Sequence, residues 1–177
     1  MENKKYKIIY ADPAWSYGDK LGNDISWGGV NNEKTGYVTQ SKDWIKELPV
    51  KEIADKDCVL FMWAVSPLLP EAFEVMKSWG FKYKTVAFVW SKETVNKKKV
   101  ANMGRWTMGN VEVVLLGVKG KPQRQIKNIR QLVEAERTRH SAKPDEVRKR
   151  IVELIGDLPR VELFAREKPE GWDVWGN

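Results

Sequence analysis

Asp12-Pro13-Ala14-Trp15 puts an acid, a rigid backbone position and an aromatic plane within one short stretch. It follows the apolar run Tyr6-Lys7-Ile8-Ile9-Tyr10-Ala11, which predicts a buried strand. Pro13 has no N–H for a strand ladder, so the strand stops there and the chain turns. In open α/β sheets the carboxyl end of a strand is where ligands bind. A carboxylate and a backbone carbonyl are two acceptors, and an exocyclic amine has two N–H groups to give them. An aromatic face beside them can stack on a flat base. Methylation of a nucleobase amine needs such a grip, because the amine lone pair is delocalised into the ring until both hydrogens are held. The same four residues also read as a helix start, with Asp12 as cap, Pro13 at the first helical position and Trp15 in the core. Taken alone, so short a motif favours that plainer reading.

The elements that must position this turn follow in order. Residues 16–40 are rich in Gly, Asn, Asp and Ser and carry Tyr17, Trp27 and Tyr37. Loops of this length are functional or disordered, and this one leaves directly from the acidic turn, so it is read as a substrate cover. Ser41 predicts the cap of a short helix to Leu48, with Trp44, Ile45 and Leu48 on one face. A buried strand over 57–63 precedes Ser66-Pro67 and a helix over 68–79, which Gly80 stops. Strands are expected over 81–90, 111–118, 132–136 and 160–165, and a helix from Pro144 to Ile155 ending at Gly156. Two polar segments are basic: 91–106, with Lys92, Lys97, Lys98, Lys99, Arg105 and Trp106, and 119–130, with Lys119, Lys121, Arg124, Lys127 and Arg130. Each reads either as a solvated loop or as a phosphate contact. Strands alternating with helices predict an α/β fold with a mostly parallel sheet, in a single domain over 1–177. No Gly-x-Gly-x-x-Gly follows a strand and no Gly-Lys-Ser/Thr phosphate loop occurs, which argues against a standard dinucleotide or ATP site.

Composition narrows the chemistry further. One cysteine, Cys58, rules out an internal disulfide and every Cys-rich zinc pattern. It sits in the apolar run to Trp63 and reads as a small core residue. One histidine, His140, leaves little room for imidazole chemistry, and no metal is expected. A formal charge of +7 favours a polyanionic partner. No run approaches the roughly 20 apolar residues of a membrane span, and Met-Glu-Asn-Lys-Lys is too polar for a secretory signal, so the expected location is the cytoplasm.

Several segments together resemble the adenine N(6)-methyltransferase family that includes the eukaryotic messenger-RNA m6A writer and compact bacterial and phage enzymes. The family signature Asp-Pro-Pro-Trp reads here Asp12-Pro13-Ala14-Trp15, and the likeness continues in Leu60-Phe61-Met62-Trp63, Trp79-Gly80-Phe81-Lys82 and Val89-Trp90-Ser91-Lys92. Arg105-Trp106-Thr107 with Asn110 and Glu112, Leu115 to Gly120, His140 to Asp145, Val161 to Arg166 and the Gly171-Trp172…Trp175-Gly176-Asn177 ending complete it. The resemblance implies a Rossmann-like S-adenosylmethionine-dependent methyltransferase fold with permuted motif order, acting on adenine in nucleic acid, DNA before RNA, in a bacterial or phage-infected cell. It implies that Asp12 and the Pro13 carbonyl hold the amine and that Trp15 flanks the base, making these three the catalytic set. Asp12, Lys143, Phe164, Arg166 and Asn177 are then expected at the methyl donor, and Tyr37, Asn110, Glu112, Lys98, Arg105 and Trp106, with Trp15, at the substrate. Glu162 reads equally as a ribose ligand or an edge-strand carboxylate. Ala14 in place of the second proline costs rigidity and not mechanism. The short stretch before Asp12 means that the wall of the adenosine pocket comes from elsewhere. A homodimer or a heterodimer is left open, and the alternative function is an inactive nucleic-acid-binding partner subunit. A small-molecule amine methyltransferase fits the basic loops poorly.

Overall fold

The computed structural model describes residues 4–16, 40–101, 103, 106–137 and 142–176. Among these, β1 (Tyr6–Ala11) is followed by α1 (Lys42–Glu47), α2 (Val50–Ile53) and β2 (Ala54–Ala64). A 3₁₀ turn over Ser66–Leu68 leads into α3 (Leu69–Ser78), then β3 (Lys82–Glu93), β4 (Val111–Lys119) and β5 (Leu132–Glu136). The chain closes with α4 (Asp145–Ile155), β6 (Arg160–Leu163) and β7 (Asp173–Trp175). The strands form one seven-stranded sheet in the order β5-β3-β4-β2-β1-β6-β7. Only β4 runs against its neighbours, antiparallel to both β2 and β3, while the other pairs are parallel. The mostly parallel α/β sheet expected from the element pattern is what forms, and it is Rossmann-like, as the family resemblance implies.

β1 lies inside the sheet, and from Ile8 to Ala11 it is buried on both faces, which is why that stretch is apolar and does not alternate. Ile9 and Ala11 point to the side covered by α1 and α3, whereas Ile8 and Tyr10 point to the side covered by α4. The indole N–H groups of the buried Trp63, Trp79 and Trp90 find acceptors, as burial demands. Trp79 Nε1 donates to the Ile45 carbonyl at 2.9 Å and so ties α3 to α1. Trp90 Nε1 donates to the Ala135 carbonyl at 2.9 Å. Gly117 lets α3 approach β4 closely, since a Cβ there would lie 2.8 Å from Met76 Sδ.

The expected boundaries shift in informative ways. Ser41 caps α1, its Oγ accepting the Trp44 N–H at 3.2 Å. The strand expected to 165 ends at Leu163, because Phe164 adopts a left-handed φ of 63° that breaks the extended run. α2 and β7 were not foreseen: one helical turn and a three-residue strand are too short to show a period.

Candidate active site at the carboxyl edge of the sheet

β2 flanks β1 on one side and β6 on the other, and the covering helices lie on opposite faces. The carboxyl end of β1 is therefore the kind of switch point where α/β sheets open a crevice. Asp12 stands there, its N–H directed to the Leu163 carbonyl of β6 at 3.4 Å. The Pro13 carbonyl accepts the Trp15 N–H at 2.8 Å, which leaves its second lone pair for another donor. The Ala14 carbonyl accepts the Gln40 N–H at 2.8 Å and Trp15 bridges Gln40, so the far end of the long loop returns to this turn. Trp15 is half-buried, its Nε1 donating to the Trp63 carbonyl at 3.2 Å. The helix-cap reading of this stretch does not apply, because among the described residues 12–16 none is helical and Trp15 instead bridges Gln40.

The electrostatics converge on Asp12. Lys143, in the segment leading into α4, places Nζ 2.9 Å from Asp12 Oδ2 and 3.4 Å from Glu112 Oε2. Glu112 Oε1 in turn meets Lys92 Nζ at 2.5 Å. Burial pushes the Asp12 carboxyl above its ordinary value; the Lys143 cation pulls it back only in part, and the Glu112 charge pushes it further up. Burial also acts to raise Glu112, but Lys143 and Lys92 outweigh it and hold this carboxyl below the usual range. Two acids side by side are thus set apart by their surroundings.

Of the residues expected at the donor, Phe164 follows β6 directly and is pinned by β7, its N–H meeting the Trp175 carbonyl at 2.6 Å. Its ring packs edge-on against Trp175, with centroids 5.7 Å apart. Gly176 permits this closeness, because a Cβ there would lie 2.5 Å from the Ala165 nitrogen. Arg166 is exposed, and its charge favours ionised Asp12. Among the substrate residues, Glu112 joins the Asp12 cluster, and Asn110 lies exposed before it, its carbonyl accepting the Lys92 N–H at 3.2 Å. Lys98 and Trp106 are exposed in the β3–β4 connection at the same end of the sheet, Trp106 at 94%. Tyr37, Arg105 and Asn177 lie outside the described residues, as does most of the expected cover loop.

Three readings are corrected. Glu162 is neither an edge carboxylate nor turned to a ribose: β6 lies between β1 and β7, and both its oxygens are taken by Arg148 of α4 at 2.7 and 2.8 Å. Lys92 is not a loop cation facing phosphate but a strand residue paired with Glu112. The basic segment after β4 starts at the opposite end of the sheet, where the Lys121 N–H meets Asp57 and the Gln125 N–H meets the carboxyl-terminal turn of α4. Trp63 had no assigned role, and Lys92 none beside Asp12, although both stand in family-like segments. Their partners are distant in sequence, so no local spacing marks them. A groove of about 760 Å³ between α4 and the 167–172 turn lies apart from this site, lined by Arg148, Val152, Arg160 and Trp172 and not by Asp12 or Lys143. Among the described residues no group of His, Cys, Asp and Glu is arranged to hold a metal ion.

An acid, a peptide oxygen and an aromatic ring thus stand together at the switch point of a Rossmann-like sheet, with a lysine brought in from before the last long helix. A family model described as MT-A70 matches residues 6–177, and the chain belongs to that family. A Type II methyltransferase, M.MunI of Mycoplasma sp, is 39% identical over 99% of this chain and 78% of its own length. The human N(6)-adenosine-methyltransferase catalytic subunit METTL3 is 26% identical over 98% of this chain, and an Arabidopsis thaliana N(6)-adenosine-methyltransferase MT-A70-like protein is 24% identical over 97%. The chain spans only 28% and 23% of those two relatives. The protein is a methyltransferase, as the sequence resemblance implied.

Proposed function

We propose that this methyltransferase transfers a methyl group from S-adenosylmethionine to the exocyclic amine of adenine in nucleic acid, with DNA as the first substrate to test and RNA as the second. One observation carries the reading: Asp12 follows β1 directly at the switch point, with the Pro13 carbonyl beside it and Lys143 at 2.9 Å. DNA is placed first because the compact Type II relative matches nearly the whole chain at 39%, whereas the relatives named for adenosine match near 25% over a fraction of their length.

The residues present fit the donor. A half-buried carboxylate, a lysine, a half-buried ring held at a left-handed backbone position and an exposed arginine gather at the ends of β1 and β6. They match a zwitterionic amino acid joined to an adenosine. Asp12, Lys143, Phe164 and Arg166 would hold it, together with Asn177. When bound, it supplies an electrophilic methyl carbon on a sulfonium. Asp12 accepts one amine hydrogen and the free lone pair of the Pro13 carbonyl accepts the other, which turns the nitrogen lone pair out of the base plane. Trp15 flanks the base, and the wall it shares with Trp63 excludes water, so the site works by positioning and desolvation. A duplex target must leave its stack to reach this depth. Lys98 and Trp106, exposed on the same rim, would meet the strand, with Arg105, Tyr37 and Asn110 as further contacts. A cytoplasmic site of action and a second subunit, identical or different, that adds sequence contacts complete the proposal.

Incorporation of labelled methyl into adenine-containing DNA and RNA tests this. The expected result is label at N6 of adenine and a loss of roughly 10²–10³-fold in kcat for Asp12→Asn. An intact, folded protein that labels neither polymer, alone or with a partner, would overturn it in favour of an inactive binding subunit.

A further inference from the structure

Four side chains from four separate segments alternate in charge along the carboxyl edge: Asp12, Lys143, Glu112 and Lys92. Their contacts run 2.9, 3.4 and 2.5 Å in that order. Each cation also rests on a buried indole. Lys143 Nζ lies 5.2 Å from the Trp63 ring and Lys92 Nζ 5.3 Å from the Trp90 ring. The two indoles meet edge to face at 6.1 Å. Sheet register makes this possible. Trp90 pairs with Glu112 and Trp63 with Val114, so Trp90, Lys92, Glu112 and Trp63 all point to the α4 side. Among the described residues Lys92 is linked to Asp12 along two lines, through Glu112 and through the Trp90–Trp63 pair, and both arrive at Lys143. Its side chain is only 14% exposed, which makes it a poor phosphate contact.

We propose that Lys92 is a positioning residue for the methyl-transfer site: by engaging one oxygen of Glu112 it keeps the other turned to Lys143, and so keeps the Lys143 ammonium beside Asp12, which is held in the form that accepts the amine. This rests on the role given above to Asp12 and Lys143. The physical reason is charge balance. Two acids and two cations in a half-buried row sum to zero, and removing the outer cation leaves two carboxylates competing for one ammonium. Lys143 is then drawn toward Glu112, and one carboxyl takes up a proton. The charges facing Glu112 come from β3 (Lys92) and from the segment before α4 (Lys143), with Asp12 across Lys143 and Arg166 beyond it.

The test compares pH profiles of kcat/KM for wild type, Lys92→Met, Lys92→Arg and Glu112→Gln. Methionine keeps an apolar stem over Trp90 and removes only the charge, and thermal unfolding confirms that each variant folds. Lys92→Met should move the acid limb up by about 1 pH unit or more, with the rate restored above it, and Lys92→Arg should leave the limb in place. Glu112→Gln should move it down, because the repulsion on Asp12 is gone, and adding Lys92→Met to that background should move it no further. A second readout needs neither donor nor nucleic acid. In the free protein the ¹³C-carboxyl titration of Glu112 should shift upward in Lys92→Met. A wild type that incorporates no methyl strikes the functional reading. An unmoved carboxyl midpoint, or a Lys92→Met rate lowered by the same factor at every pH, strikes the role of Lys92.

Discussion

Burial lifts the Asp12 carboxyl and Lys143 draws it back, and the balance leaves it above the ordinary carboxylate value of 3.8. The ionised form is the one that accepts amine hydrogens, so activity should fall with acid at a pH above that of a free aspartate. The sign for stability is opposite. A carboxyl raised in the fold favours the fold only while it is protonated, and that contribution is lost as pH rises through the raised value. At neutral pH ionised Asp12 therefore weakens the molecule. Asp12→Asn should unfold no more easily than wild type at pH 7 while losing activity, and its advantage should shrink as pH falls toward 4. Chemical denaturation at the two pH values measures this. An Asn variant clearly less stable at pH 7 would mean that the Lys143 ion pair outweighs the burial cost. Glu112 behaves conversely: held low by its two lysines, it adds stability above the usual carboxylate range that is lost on acidification.

α4 is held to β6 by more than its apolar stripe of Val147, Ile151 and Ile155. Arg148 forms a two-pronged pair with Glu162, which is 5% exposed, and lies over the Tyr10 ring at 5.7 Å. Tyr10 OH in turn accepts the Trp63 indole N–H at 2.5 Å. The tie matters to the site because the start of α4 sets where Lys143 stands. Removing one partner of such a pair leaves a buried charge, whereas removing both replaces it with apolar packing. Arg148→Met should cost about 3–5 kcal/mol, and Arg148→Met with Glu162→Leu should recover most of it, as read by urea unfolding. If the double variant is no better than the single one, the pair serves packing and not charge compensation. That Glu162 has this partner was not legible locally. A glutamate inside an apolar strand announces only that something must compensate it, and the partner lies on another element.

The net charge of +7 is not spread to serve one face. Lys97 and Lys99 pair with Glu93, and Lys99 also with Glu134, so much of the first basic segment is internally compensated. The second begins at the opposite end of the sheet from Asp12. The exposed Lys98, near the rim, is the described lysine of this run best placed for phosphate. Lys98→Gln should lower the slope of log K against log salt by about 1 on adenine-containing duplex DNA. Lys121→Gln with Arg124→Gln should leave it unchanged. A larger effect from the far-end pair would place the nucleic acid on the other end of the molecule. Among the described residues no helix is long and apolar enough to cross a membrane.

The order of strands and helices, the turn at Asp12 and the family were legible in the chain itself, because each is written in residues close together: apolar periods, a proline that ends a ladder, a glycine that ends a helix. The Ser41 cap and the start of α4 at Pro144 are of that local kind. What the chain did not reveal are relations between distant residues. Lys143 meets Asp12, Lys92 meets Glu112 and Arg148 meets Glu162 only after strands pair in one register and α4 packs across them. A one-residue slip in that register would turn the strand residues among them, Lys92, Glu112 and Glu162, to the other face. Charge counted along the chain could not say which lysines face a ligand and which are already paired, because that depends on which end and which face of the sheet each one reaches.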